Sequence, residues 1–145
     1  MSTIPRGYLV FDLKYSLESI CLEAYISPVT HLADNFFRLL ADPTRLRCLV
    51  LLQREGELCV CELTHALAEI QPKISRHLGL LRDGRLVVDR REGQWVYYRI
   101  HPELPDWARE VLATATAGLS AHLPFAADLR KLAEMPKRPG AGCCG

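Results

Sequence analysis

The sequence lacks any apolar stretch long enough to cross a lipid bilayer. Its early apolar run, residues 8–11, is interrupted by Asp12 and Lys14 and is too short for the core of a secretion signal. These absences predict a cytoplasmic protein with no membrane partner. Secreted and membrane-spanning classes of protein are therefore not expected.

The chain also has little net charge, because its 18 basic and 17 acidic side chains nearly cancel to +1. This balance argues against a protein that coats nucleic acid or an anionic membrane without selectivity, although it permits a local basic face. The length of 145 residues and an apolar content of 49% fit one globular domain with tails. We expect an N-terminal extension at 1–30, the domain at 31–119 and a C-terminal tail at 120–145.

Cysteine, by contrast, is abundant, with six residues in the chain. Their positions do not suggest a disulfide framework, since two are separated by one residue, two are adjacent and two stand alone. These are, in turn, Cys59 and Cys61, Cys143 and Cys144, and Cys21 and Cys48. In a reducing compartment, such clusters indicate metal or redox sites.

Hydrophobic periodicity predicts a mostly helical α+β domain. Helices are expected at about 31–41, 43–55, 61–69, 72–83 and 106–119, with one more short helix near Phe125. Asp42 and Pro43 mark the start of the second helix and Gly56 marks its end. The segments 86–91 and 94–100 flank a glycine-containing turn and predict a two-stranded β-hairpin.

Two short helices followed by a hairpin have the order of a winged helix-turn-helix. The stretch 71–99 holds seven basic and three acidic residues, a local charge of +4. Such a helix and wing could reach the bases and phosphates of double-stranded DNA. The predicted DNA-binding residues are Gln71, Lys73, Ser75, Arg76 and His77 on the helix, and Arg90, Arg91 and Gln94 on the wing. For His77, a packed or capping role is an equal alternative.

The segment 57–63 places Cys59 and Cys61 at the start of the third predicted helix. Residues two apart do not share a helix face, so one ion can bind both thiols only if the first turn is distorted or Cys59 lies outside the helix. A helix N-terminus favours the thiolate form, which suits both cysteines to bind soft metals.

Two thiolates do not complete a metal site. Tetrahedral zinc usually has four ligands, whereas trivalent arsenic or antimony is satisfied by three sulfurs. The third sulfur could come from Cys21, or from Cys143 or Cys144 of the same chain or of a partner subunit. Cys48 is a further candidate, although its place in an apolar helix favours a packing role.

Four motifs together resemble the ArsR/SmtB family of winged-helix metalloregulatory repressors, and most closely its arsenic-responsive branch. The motifs are Leu40-Ala41-Asp42-Pro43-Thr44-Arg45, Glu57-Leu58-Cys59-Val60-Cys61-Glu62-Leu63, Gln71-Pro72-Lys73-Ile74-Ser75-Arg76-His77-Leu78 and Gly93-Gln94-Trp95-Val96-Tyr97-Tyr98-Arg99. The resemblance covers residues 32–119. It implies a homodimer, joined through the first and fifth helices, that represses a resistance operon by binding operator DNA. It also implies that trivalent arsenic or antimony, with no organic cofactor, binds Cys59 and Cys61 and releases the DNA.

The sequence departs from that family at one position that affects the site. The family's arsenic site often has another cysteine three positions after the second, where this chain has Thr64. The site would then use an exogenous thiol or a cysteine from elsewhere in the protein. Relatives that sense cadmium or lead use cysteines of an N-terminal extension, which keeps Cys21 and those metals as an alternative. The family's zinc site is not expected, since 106–119 contains no histidine.

Two further alternatives need no bound metalloid. The same thiols could sense oxidants by forming a disulfide or a sulfenate. An arsenate-reducing enzyme would need an anion-binding loop beside its nucleophile, and the carboxylate of Glu62, directly after Cys61, would repel an oxyanion. The sequence therefore predicts a regulator and not an enzyme.

Overall fold

The computed structural model describes residues 28–139, which form six helices and a three-stranded sheet. The elements are α1 (Pro28–Leu40), α2 (Pro43–Glu55), β1 (Glu57–Cys59), α3 (Val60–Leu67), α4 (Gln71–Asp83), β2 (Val87–Glu92), β3 (Trp95–Ile100), α5 (Asp106–Leu119) and α6 (Phe125–Ala133). The predicted mostly helical winged helix-turn-helix is confirmed, with α3 and α4 as the helix pair. No helix in this part of the chain is both long and apolar enough to span a membrane.

Local capping signals set the bounds of α2. The Asp42 side chain accepts a hydrogen bond from the Arg45 N–H at 2.9 Å, and Pro43 occupies the first turn, where a missing N–H costs nothing. At the other end Gly56 has φ +86°, a conformation that favours glycine. These two ends match the sequence prediction.

The sheet has one strand more than the predicted two-stranded wing. β2 and β3 form the hairpin, with Glu92 opposite Trp95 and Gly93 at φ +57° in the turn. β1 pairs antiparallel with the other edge of β3, which places Cys59 opposite Tyr97. The short segment before α3 is therefore tied to the base of the wing by backbone hydrogen bonds.

The core lies between the helices and the inner face of the sheet. Fully buried side chains from α2, α3 and α4 meet there: Leu49, Leu52, Leu63, Ile74, Leu78 and Leu81. The expected tail at 120–145 contributes as well, because α6 packs against α3 and buries Leu132 in the same cluster. The first half of that segment is thus part of the packed domain rather than an appendage.

A buried ion pair fixes α6 to α2. Both carboxylate oxygens of Asp128 accept hydrogen bonds from the Arg47 guanidinium, at 2.6 and 2.7 Å. Arg47 also donates to the Leu67 carbonyl at the end of α3, at 3.2 Å. One side chain therefore joins three helices.

Candidate functional site

The two thiols of the 57–63 segment lie side by side. Cys59 ends β1 and is the extended N-cap residue of α3, whereas Cys61 is the second residue of that helix. Their sulfurs are 2.9 Å apart, with Cys61 donating to Cys59. Because Cys59 lies outside the helix, no distortion of the first turn is needed to bring both sulfurs to one ion. Two sulfurs bound to one metal at about 2.3 Å would be at most ~4.6 Å apart. The observed separation of 2.9 Å lies within that limit.

A buried carboxylate holds the backbone of the pair in place. Glu62 is only 1% exposed, and one of its oxygens accepts the Cys59 N–H at 2.7 Å. The other oxygen accepts from Arg138 Nε at 2.9 Å, and Arg138 also donates to Glu55 at 3.1 Å. Sequence reasoning missed both residues as parts of the site. The spacing from Cys59 to Glu62 is that of a capping box and could have indicated the carboxylate, but nothing local indicates Arg138.

The protonation of Cys61 differs from the expected thiolate. Burial, the hydrogen bond to Cys59 and the negative charges of Cys59 and Glu62 raise the pKa of the Cys61 thiol to about 12. These effects outweigh the attraction of the helix N-terminus for negative charge. The expectation that the helix end keeps this thiol ionised is therefore wrong for Cys61.

The other cysteines do not complete the pair within the described chain. Cys48 is fully buried in the core, and burial raises the pKa of its thiol to about 12. Cys21, Cys143 and Cys144 lie outside the described residues. Residues 28–139 contain no group of three or more histidine, cysteine or acidic side chains arranged to hold a metal ion. This part of the protein thus supplies two sulfur donors.

The recognition helix α4 presents most of its predicted contact residues to solvent. Ile74, Leu78 and Leu81 are buried, and the exposed set is Gln71, Lys73, Ser75 and Arg76. His77 differs, because its side chain is only 15% exposed and its Nδ1 lies 3.6 Å from the Asp42 carboxylate. The structure places His77 against the start of α2, so the packed alternative describes it better than DNA contact.

The two predicted arginines of the wing have different surroundings. Arg90 forms hydrogen bonds with Glu57 and Glu92, the shortest at 2.6 Å, and lies 4.5 Å above the Tyr97 ring centroid. Arg91 and Gln94 are exposed near the hairpin turn. The charge of Arg90 is thus already balanced by carboxylates of its own chain, which argues against its predicted role in DNA contact.

The thiol pair and several of the predicted DNA-binding residues line one cleft, which the sequence did not predict. This cleft has a volume of about 320 Å³ and lies between the start of α3, the recognition helix and the wing. Its walls include Cys59, Cys61, Gln71, Ser75, Arg91 and Gln94. A group bound to the thiols would therefore face the surface between α4 and the hairpin.

A separate apolar face is formed by α1 and α5. Phe37 of α1 is 53% exposed and stacks at 6.3 Å on Trp107 of α5. Along α5, Trp107, Val111 and Ala115 line a shallow, open trough. These are the two helices through which the sequence resemblance implies dimerisation.

Comparison with known proteins identifies the family. Residues 42–88 match the family described as bacterial regulatory protein, arsR family. An arsenic resistance transcriptional regulator of Pseudomonas putida is 54% identical over 103 residues, which are 71% of this chain and 79% of that protein. The chain belongs to the arsR family. The arsenical resistance operon repressor of Escherichia coli is 53% identical over 81 residues, or 56% of this chain and 69% of that protein.

Two solved structures with 27% and 29% sequence identity have the same fold. HlyU from Vibrio cholerae superposes with a TM-score of 0.58 at 27% identity, covering 64% of this chain and 97% of that one. The AntR antimony-specific transcriptional repressor gives 0.55 at 29% identity, covering 77% and 96%. As a member of this family, the protein is a winged-helix transcriptional regulator and not an enzyme.

Proposed function

We propose that this protein is a homodimeric, cytoplasmic repressor that binds operator DNA and releases it when trivalent arsenic or antimony binds Cys59 and Cys61. The observation that carries the proposal is the pair of sulfurs 2.9 Å apart inside the cleft between recognition helix and wing. The names of its relatives, which include arsenic resistance regulators and an antimony-specific repressor, support the same inducers.

The chemistry of the pair suits a thiophilic metalloid. Arsenous acid carries three hydroxides, and each As–S bond forms as one thiol proton leaves with one hydroxide as water. Two thiols thus bind one As(OH)₃ with loss of two waters, without any change in oxidation state. Protonated thiols are therefore competent partners, and soft sulfur ligands favour such an acceptor over hard cations.

The exposed residues of α4 and the wing would contact DNA. Polar and basic side chains at the start of the recognition helix can reach base edges and phosphates in a major groove, while the hairpin tip reaches the adjacent backbone. We assign this role to Gln71, Lys73, Ser75, Arg76, Arg91 and Gln94. The apolar face of α1 and α5, with Phe37 and Trp107, would join two copies and so present two recognition helices to a two-fold operator.

Release requires only a modest coupling energy. Weakening operator binding a hundredfold corresponds to about 2.7 kcal/mol, within the usual range of allosteric coupling. α3 packs directly against α4, and the cleft is bounded by both helices and the wing. A metalloid bound at Cys59 and Cys61 would shift these walls relative to one another and misplace the DNA-reading side chains.

The thiol assignment can be tested by gel shift on DNA that the wild-type protein selects from a random pool. The Cys59→Ser and Cys61→Ser variants should bind this DNA like the wild type and remain bound when arsenite is added. Cys48→Ala is the matched control, because it removes a thiol from the core and should leave release intact. Normal release by arsenite from the double serine variant would overturn the assignment.

The DNA face has its own matched pair of variants. Arg91→Ala should weaken DNA binding and lower the slope of log affinity against log salt by about two, since each protomer of the dimer loses one phosphate contact. Arg90→Ala should change that slope much less, because Glu57 and Glu92 already balance its charge. Equal slopes for the two variants would count against this picture of the wing.

Oxidant sensing is a second candidate, favoured by the same short distance between the sulfurs. Hydrogen peroxide would take two electrons from the two thiols, giving a Cys59–Cys61 disulfide and two waters. The raised pKa of the Cys61 thiol disfavours this reaction, because the thiolate is the nucleophile that attacks peroxide. Release by peroxide at concentrations where arsenite has no effect would establish it over the metalloid.

A further inference from the structure

We propose that Ile70 is a base-reading residue, which packs against the methyl group of a thymine in the major groove of the operator. This inference rests on the proposed function, since it adds a specificity-determining side chain to the DNA-binding face of α4. It follows from one juxtaposition, in which an exposed apolar side chain directly precedes the amide of Gln71 at the tip of the recognition helix.

Within the helix-turn-helix, residues 60–83, Ile70 is the most exposed large apolar side chain. It is 68% exposed, whereas Leu80, in the second half of α4, is 41% exposed. Residues 68–70 connect α3 to α4, and Ile70 is the last of them. Single exposed apolar side chains are common on protein surfaces, and Ile70 is distinguished by its place at the tip. Because the N-terminal residues of a recognition helix contact base edges, Ile70 lies where a side chain can enter the major groove.

The backbone of Ile70 is fixed before DNA binds. Its carbonyl accepts hydrogen bonds from the Lys73 and Ile74 N–H groups, at 3.1 and 3.2 Å, and these bonds begin α4. Ile70 is the N-cap residue, a position usually taken by a polar side chain that bonds the helix end, and its own side chain makes no such bond. A branched side chain on a fixed backbone has little rotamer freedom. Ile70 can therefore contact a base at a small cost in conformational entropy.

The tip of α4 carries little net charge. The Lys73 ammonium donates to the Glu69 carboxylate at 2.6 Å, so the two charges that flank the tip balance each other. The residues between them, Ile70, Gln71 and Pro72, are uncharged and exposed. Phosphates are bound mainly through charge, whereas base edges are read by hydrogen bonds and apolar contacts. The composition of the tip therefore favours base reading.

The two side chains at the tip fit the major-groove edge of an A·T pair. A glutamine amide can form a bidentate contact with adenine, and apolar side chains contact the methyl group of thymine. A G·C pair offers no methyl group to Ile70. Gln71 and Ile70 are adjacent in the chain, so both can reach one pair or two neighbouring pairs. Ile70 thus adds discrimination for thymine to a helix whose other predicted contacts are polar or charged.

Replacing thymine by deoxyuridine tests this contact, because uracil keeps every hydrogen-bonding group of thymine and lacks only the methyl. Gel shift is run on DNA that the full-length wild-type protein selects from a random pool, with symmetry-related thymines replaced one pair at a time. One such replacement should lower the wild-type affinity. Burial of one methyl group corresponds to about fourfold in affinity, so the two half-sites of a dimer together give about fifteenfold.

Variants of α4 assign the effect to one side chain. Ile70→Ala should bind the thymine and deoxyuridine forms of that DNA equally, with the affinity that the wild type has for the deoxyuridine form. Ile70→Val keeps a branched side chain and should retain part of the preference for thymine. Leu80→Ala is the matched control, since it removes an exposed apolar side chain from the far half of α4 and should keep the full preference. Arsenite should release all three variants, because Cys59 and Cys61 are unchanged.

The outcomes separate this proposal from the one on which it rests. If deoxyuridine at every position left the wild-type affinity unchanged, the thymine contact would be overturned while DNA binding stands. The contact would also be wrong if Ile70→Ala kept the wild-type preference for thymine, or if Leu80→Ala lost it. Failure of the wild type to select any sequence from the pool would instead refute the proposed function itself.

Discussion

Two arginine–carboxylate pairs hold the two ends of α3, and they differ in how the arginine is used. At the end of the helix, Arg47 gives two nitrogens to Asp128 and also donates to the Leu67 carbonyl. At the start, Arg138 divides its nitrogens between Glu62 and Glu55. Asp128 and Glu62 are equally buried, at 1% exposure.

This difference separates a structural clamp from a connection to the thiols. Asp128 has both oxygens engaged by one guanidinium, so the pair is complete in itself. Glu62 keeps one oxygen for the Cys59 N–H, so a change at Arg138 alters the contact that holds the thiol segment. We infer that the end of α3 is fixed for stability, whereas its start is linked to ligand binding.

The largest expected effect is on the clamp. Asp128→Ala leaves Arg47 without its carboxylate among packed helices, and losing one partner of a buried pair costs about 3–5 kcal/mol. Urea unfolding should show this loss, while arsenite affinity per folded molecule stays at the wild-type value. The control is Asp106→Ala, which removes an exposed pair with Arg109 and should cost at most about 1 kcal/mol. If folded Asp128→Ala instead lost much of its arsenite affinity, the end of α3 would also be linked to ligand binding, and the two ends would not differ in this respect.

A smaller loss of stability is expected at the start of the helix. Arg138→Ala leaves Glu62 with the Cys59 N–H but no cation, which should cost about 1–3 kcal/mol in urea unfolding. Arsenite affinity, measured by calorimetry on the folded protein, should fall as well, because Glu62 loses the cation that holds it against the Cys59 N–H. Glu55→Gln is the control, since it weakens only the outer arm of the network. If Arg138→Ala kept the wild-type arsenite affinity, the contacts of Arg138 would serve stability alone, as those of Arg47 do.

The contrast also explains what could be predicted from sequence. Local signals set the elements correctly: Asp42 and Pro43 begin α2, Gly93 turns the hairpin, and periodicity places α5 at residues 106–119. The thiol pair and most of the exposed face of α4 were found in the same way, because spacing along one segment is visible in the sequence.

Pairings between distant segments were not predictable from such signals. Arg138 lies 76 residues from Glu62, and no local pattern of charge or periodicity links them. The same holds for β1, whose three residues are too few to show alternation and become a strand only by pairing with β3. The inward position of His77 depends likewise on another helix. Sequence thus predicted the chemical groups of the site and missed the long-range contacts that position them.

The smallest expected effect is on the rate of thiol alkylation at the start of α3. Cys61 should react slowly with iodoacetamide. Because its pKa is raised to about 12, the thiolate fraction of Cys61 should rise about tenfold per pH unit between pH 8 and 10. The labelling rate of an ordinary thiol such as glutathione, measured with iodoacetamide in the same tube, levels off in that range. Mass spectrometry of the Cys61 peptide gives its rate separately from those of the other cysteines. Cys59→Ala removes the hydrogen-bond acceptor and should move the pH profile of Cys61 labelling toward lower pH. Burial of Cys61 should keep part of the rise in its pKa. If the labelling rate of Cys61 instead levels off together with that of glutathione, Glu62 and Cys59 do not raise the pKa of the Cys61 thiol. The start of α3 would then not differ electrostatically from the end of the helix that Arg47 holds.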